Sequence, residues 1–136
     1  MVIRPDEEQP VVELGEDECW ALLADERFGR LGYGLPDEIH IVPVNHAVVD
    51  RSLFIATGAG NKLLAAELHS QVALEIDRLD VHDAWSVLVR GRLRHLEEDE
   101  VERLDLPTPW VPTFKYDVVQ IVPEVVTGRR FFIERH

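Results

Sequence analysis

Trp85-Ser86-Val87-Leu88-Val89-Arg90-Gly91-Arg92-Leu93-Arg94 alternates with a period of two. Val87, Val89 and Leu93 share one face, and Arg90, Arg92 and Arg94 share the other. A strand with faces this different rests one of them on a core and leaves the other in water. Gln71 to Asp77 repeats the pattern, with Val72, Leu74 and Ile76 opposed to Glu75 and Asp77. Upstream, Phe28 to Tyr33 alternates with glycines, and Gly34-Leu35-Pro36-Asp37-Glu38 has the composition of a turn. Ile39 to Val49 reads as a strand, Asp50-Arg51 as a tight hairpin turn, and Ser52 to Ala56 as the returning strand. Downstream, Asp117 to Val122 and Val125 to Ile133 read as the last strands, broken at Pro123-Glu124. Pro43 has no N–H to give, so it belongs at a strand edge or an irregularity in the ladder.

Helical signals are few. Glu16-Asp17-Glu18 is an acidic first turn suited to the positive end of a helix, followed by Cys19, Leu22 and Leu23 at helical spacing, which predicts a helix over 16–25. Leu63, Leu64 and Leu68 give a second apolar helix face, and Leu96 to Leu106 a short third helix carrying Val101 and Leu104. Residues 1–12, acidic and holding Pro5 and Pro10, read as a flexible N-terminal arm, and 13–136 as the one folded domain. Six or seven short strands joined mostly by short turns favour an antiparallel barrel over a parallel sheet.

The 136 residues include 26 acids and 14 bases, a net charge of −12, and only Lys62 and Lys115 are lysines. A polyanion is a poor partner for such a chain, because nucleic-acid binding rests on clustered cations, and an anionic membrane is disfavoured on the same ground. No apolar run is long enough to span a bilayer, and Met1 to Glu8 does not read as a secretory signal. One cysteine, Cys19, forms no internal disulfide, which points to a reducing, cytoplasmic setting. The six histidines fall at no metal-ligand spacing, and Ser52, Ser70 and Ser86 sit in no nucleophile-elbow motif.

The segment richest in chemistry runs from Ala56 to Leu68: a strand, the small-residue loop Thr57-Gly58-Ala59-Gly60, then Asn61 as a helix N-cap and Lys62 in the first turn. A lysine there opposes the helix dipole, and the arrangement makes sense where an anion lies nearby. Backbone amides, a thin loop and one lysine form a phosphate cradle; the plain alternative is a capped turn with a solvated lysine. Val42-Pro43-Val44-Asn45 exposes carbonyls along an edge where a planar ring could lie, or it is an ordinary edge strand. Arg129 and Arg130 are adjacent on a strand, so one of them faces the core or a partner and wants a carboxylate or a phosphate. Without a nucleophile–base set, any redox chemistry would come from a cofactor that the protein positions.

Taken in order, these segments give the chain a family resemblance. Glu18 to Leu23, Gly29-Arg30-Leu31, Val42 to Asn45, Thr57 to Lys62, Val72 to Asp77, Trp85 to Arg92 and Thr127 to Phe131 resemble the pyridoxamine 5′-phosphate oxidase-like, FMN-binding split-barrel proteins, in particular the small actinobacterial-type members. The resemblance covers residues 13–133. It implies a mainly β (α+β) fold, a six-stranded antiparallel split barrel with flanking short helices. It also implies a homodimer with the cofactor at the interface. Carried over residue by residue, Val42, Pro43, Val44 and Asn45 would line the flavin ring. Thr57, Gly58, Gly60, Asn61 and Lys62 would hold the phosphate. Trp85 and Ser86 would approach the ring, and Arg129 the phosphate or ring edge. The implied cofactor is FMN, with deazaflavin, heme or none as alternatives among relatives. The loop has one lysine, and a C-terminal arginine and histidine substrate segment is missing. The expectation is therefore a flavin-dependent oxidoreductase of unknown substrate, against a non-catalytic flavin (or deazaflavin or heme) binding module or a structural dimer.

Overall fold

A computed structural model describes residues 2–3, 11–35, 37–58, 71–106 and 116–134. Its strands are β1 (Val2–Ile3), β2 (Val11–Leu14), β3 (Phe28–Leu35), β4 (Glu38–Val49), β5 (Ser52–Gly58), β6 (Gln71–Leu79), β7 (Asp83–His95) and β8 (Tyr116–Glu134). Two helices are described, α1 (Glu16–Asp25) and α2 (Glu98–Glu102). The ring runs β8–β5–β4–β3–β6–β7 and closes from β7 back to β8, every pair antiparallel. This is the expected six-stranded split barrel. β1 and β2 add to β8 outside the ring, so Val11 and Val12, assigned by composition to the arm, belong to a strand.

The alternation in the sequence predicts the burial. Val72, Leu74 and Ile76 on β6 and Val87, Val89 and Leu93 on β7 lie in the core, with Leu31, Leu53, Ile55, Val119 and Ile121 from the other strands. The Asp50-Arg51 turn has positive φ at both residues, 49° and 58°, the signature of the turn that matches strand twist in a two-residue hairpin. Pro123-Glu124 does not break the last strand. Arg90 pairs with Val125 and Gly91 with Pro123, so Glu124 is a bulge residue within one strand of 19 residues. The extra residue reverses the facing of β8: Val119 and Ile121 point inward before it and Val126 after it. Gly91 is required there, because a Cβ would overlap the Val122 carbonyl and lie 3.1 Å from Pro123 Cα.

α1 spans 16–25 as its acidic first turn predicts, and buries Cys19, Trp20 and Leu23 against one end of the barrel. It comes close enough to β8 that a Cβ on Gly128 would lie 2.7 Å from Cys19 Sγ. Burial pushes the Cys19 thiol pKa up, which suits a packing role. At the barrel's far end a second cluster of Ala47, Phe54, Leu96, Val101 and Val118 lies under α2. That helix is shorter than the 96–106 expected from the sequence, and its Glu100 carboxylate accepts a hydrogen bond from the Glu97 N–H at 3.3 Å. Among the described residues no helix is long and apolar enough to cross a membrane.

Candidate functional site

β4 changes partners halfway along its length. From Glu38 to Asn45 it pairs with β3, and from His46 to Val49 with β5. The His46 N–H donates to the Arg27 carbonyl at 2.9 Å. Backbone groups in an antiparallel ladder alternate in direction. Val44 and Val42 therefore turn theirs to β3, while Asn45, Pro43 and Ile41 turn theirs away from it. No β5 residue is paired opposite those three. Pro43 thus sits where its missing N–H leaves no ladder bond unmade. β5 continues to Gly58 with β8 as partner and β4 no longer beside it. The ring is split there, and the split leaves the carbonyls of Ile41 and Pro43 without a strand partner.

The side chains divide by face. Val42 and Val44 are half-buried and pack on the barrel core, whereas Pro43 and Asn45 are exposed on the outer face. Thr57 and Gly58 end β5 opposite Asp117 and Tyr116, so the loop expected to cradle a phosphate departs from the split. Gly60, Asn61 and Lys62 lie outside the described residues, as does the helix expected after them. Trp85 is buried and points inward. Ser86 points outward, opposite Asp77 on β6 and Arg129 on β8, and Arg129 in turn faces Glu13 on β2. Of the two adjacent arginines, Arg130 turns inward and half-buried, 3.8 Å from Glu18 and 3.5 Å from Asp83. Its Nε is buried without a hydrogen-bond partner.

Pro43, Asn45, Ser86 and Arg129 thus share one outer face, and three further residues stand between them. Cross-strand neighbours place Pro43 beside Arg30, Arg30 beside Glu75 and Asp77 beside Ser86. Arg30 Nη2 lies 2.7 Å from Glu75 Oε1 and 2.6 Å from Asp77 Oδ2, and Arg30 Nε donates to Glu75 at 3.2 Å. Burial, then the hydrogen bond shared with Asp77, push the Glu75 carboxyl above its ordinary pKa against the pull of Arg30. The two acids hold the Arg30 guanidinium firmly in its charged form. The polar face of β6 and the Gly29-Arg30-Leu31 segment were both visible in the sequence. Their meeting was not, because it depends on a register between residues 45 apart in the chain.

The surroundings of this cluster are apolar. Ile39, Ile41 and Phe28 are 85%, 69% and 51% exposed. A planar ring with a polar rim would find apolar surface here beside unpaired backbone carbonyls and the exposed Asn45 side chain. Among the described residues no group of His, Cys, Asp and Glu could hold a metal ion. A separate cleft of about 330 Å³, lined by Val49, Phe54, Arg94, Leu96 and Leu104 among others, lies at the α2 end and includes none of these residues.

Comparison with known proteins agrees with this fold. The sequence profile of the family described as pyridoxamine 5′-phosphate oxidase matches residues 15–130. An uncharacterised protein of Mycobacterium tuberculosis is 38% identical over 135 residues, covering 93% of this chain and 89% of its own. A Corynebacterium glutamicum structure, described provisionally as a pyridoxamine 5′-phosphate oxidase, superposes with a TM-score of 0.75 at 34% identity, over 95% of this chain and 99% of its own. An FAD-binding protein from Mycobacterium smegmatis gives 0.74 at 34% identity, over 89% and 98%.

Proposed function

This chain belongs to the pyridoxamine 5′-phosphate oxidase-like family, and from that premise we propose that it is a flavin-binding, flavin-dependent oxidoreductase of the cytoplasm. Its cofactor is FMN and its substrate a small molecule. The split in the barrel carries the reading. A flavin ring has apolar faces and a rim that alternates hydrogen-bond donors and acceptors. The open edge of β4 offers such a rim its complement: backbone acceptors at Ile41 and Pro43, and the side-chain amide of Asn45, which donates and accepts. Val42 and Val44 keep that edge straight from inside, by packing on the core.

Bound there, the flavin supplies hydride transfer at its N5. The protein's own contribution is positional. The backbone edge orients the ring, Ser86 and Asn45 offer neutral hydrogen bonds, and Thr57, Gly58 and Lys62 with their loop receive the phosphate. Arg129 adds a cation at the ring edge or phosphate. The outer face is open on one side, so a second copy of the chain is the natural lid, giving a homodimer with the cofactor at its interface. Support comes from the family match, from the flavin-binding relative and from the exposed apolar face.

The absorption spectrum of the purified protein tests the reading, with reconstitution by FMN, FAD and a deazaflavin in parallel. One flavin per chain, with FMN bound tightest, is the expected result. A colourless protein that none of the three reconstitutes overturns it. Oxidation of NADH or NADPH by the loaded protein separates an enzyme from a carrier.

A further inference from the structure

Phe28 is a large apolar side chain left 51% exposed, and it belongs to neither core cluster. It opens β3 directly opposite Asn45 on β4. Its facing follows from its strand: Leu31 and Tyr33 point into the core, so Phe28, Arg30 and Gly32 point to the outer face. One step along from the Arg30–Glu75 pair, Phe28 comes level with Asp77 on β6, which pairs with Ser86 on β7, which pairs with Arg129 on β8. The outer row is therefore Asn45, Phe28, Asp77, Ser86, Arg129. Three of the five are residues assigned above to the cofactor, and Asp77 is held by Arg30 at 2.6 Å. Phe28 is the one apolar member.

The backbone beneath it is fixed from both sides. The Arg27 carbonyl accepts the hydrogen bond from the His46 N–H at 2.9 Å. Gly29 comes so close to β6 that a Cβ there would lie 2.5 Å from the Glu75 carbonyl oxygen and 2.8 Å from Ile76 Cγ2. An aromatic ring on an anchored strand is a preorganised surface, and a ligand that packs on it loses little to ordering. The other aromatics of β4, β3, β6 and β7 are Tyr33 and Trp85, and both are buried. Phe28 is thus the only aromatic side chain that these four strands offer the outer face.

A flavin ring is a wide aromatic plane. Hydrogen bonds from the carbonyls of β4 and the Asn45 amide settle its rim but not its faces. A plane whose rim meets Asn45 has the neighbouring phenyl ring within reach, and aromatic pairs attract beyond the area they bury. We infer that Phe28 is a further cofactor-contact residue, its ring packing on the flavin beside Asn45 and fixing the tilt of the plane. This rests on the flavin-binding reading above and adds to it the residue that takes the ring's apolar surface.

The test measures FMN affinity of the full chain by equilibrium titration. Phe28→Ala should bind FMN about tenfold more weakly, and Phe28→Tyr, which keeps the aromatic plane, within about twofold of wild type. Phe132, 45% exposed on β8 opposite Asp83 and outside this row, is the control, and Phe132→Ala should leave the affinity unchanged. Phe28→Trp gives a readout that a merely structural role would not move. An electron-rich indole in contact with a flavin adds long-wavelength charge-transfer absorption to the bound cofactor, and Phe132→Trp should add none. Circular dichroism and melting check that each variant is folded, and Phe28→Leu replaces Phe28→Ala should the latter not fold. A Phe28→Ala or Phe28→Leu chain that binds FMN like wild type overturns the contact. So does a Phe28→Trp spectrum identical to that of wild type, or an equal loss of affinity in Phe132→Ala. A wild-type chain that takes up no FMN overturns the flavin-binding reading itself.

Discussion

His46 sits at the residue where β4 exchanges its free edge for β5, and its protonation state should set the stability of that junction. The side chain is 1% exposed, its Nε2–H donates to the Leu23 carbonyl of α1 at 2.8 Å, and its Nδ1 is buried without a partner. Burial lowers the imidazole pKa, Arg27 acting in the same direction, and outweighs the Leu23 carbonyl and Glu26, which favour the cation. The sign follows. The unfolded chain takes up a proton near pH 6.5, while the folded chain resists until a lower pH, so stability is full above about pH 6.5 and is lost as pH falls below it.

For one group the loss cannot exceed about 1.4 kcal/mol per pH unit. Because the folded pKa lies below the unfolded one, the loss accumulates as pH falls from about 6.5. Urea denaturation between pH 7.5 and pH 5 should show the decline in the wild type. His46→Gln, which keeps a donor for Leu23 but cannot ionise, should start lower at pH 7.5 through lost packing and then vary less with pH than the wild type does. Parallel pH profiles for the two proteins would show that the imidazole is either solvated or already charged in the fold, and the account of the α1–β4 junction would fail.

Other consequences can be checked directly. Gly91→Ala places a methyl on the Val122 backbone at the bulge, where nothing can yield, and should cost about 3 kcal/mol in chemical denaturation. Gly128→Ala meets a side chain instead, so adding Cys19→Ala should recover part of its loss, with a coupling of about 1 kcal/mol in a double-mutant cycle. Lys62→Ala should weaken FMN binding about tenfold or more in a fluorescence titration, since charge-assisted bonds to phosphate are strong. Arg51→Gly relieves a positive φ of 58° in the hairpin turn and should raise Tm by a few degrees even though the ion pair with Asp17 is lost.

The barrel was legible because its information is local. Alternation in Gln71–Asp77 and Trp85–Leu93 names the inward residues, the acidic turn at Glu16 starts α1 at the right place, and Asp50-Arg51 is a turn by chemistry alone. What stayed hidden is what register decides. Pro123-Glu124 reads as a break in one dimension; only the pairing of Arg90 with Val125 and Gly91 with Pro123 shows it to be a bulge inside one strand. Arg30 and Glu75 carry nothing in their local sequences to announce that they meet. Arg129 and Arg130 could be assigned to opposite faces but not sorted. The bulge at Glu124 settles which turns inward, because it shifts the facing of every residue after it.

That shift links the closure of the barrel to the character of its outer face. Were Glu124 paired in the ladder instead of bulged, the inward positions of β8 would continue through Pro123, Val125 and Thr127 to Arg129, placing a cation in the core and Gly128 on the surface. With it, Gly128 comes to lie under α1, where only a residue without a Cβ fits, and Arg130 reaches Glu18 and Asp83. Arg129 and Val125 are delivered to the outer face beside Ser86 and Arg90. Holding Glu124 out of the ladder therefore keeps the packing of α1 and the arrangement of charges on the surface proposed to hold the cofactor. Deleting Glu124 should leave this facing unchanged, since Val125 already stands opposite Arg90 and Gly128 opposite Val87, whereas deleting Thr127 carries Gly128 and Arg130 to the outer face and should impair folding and flavin binding together.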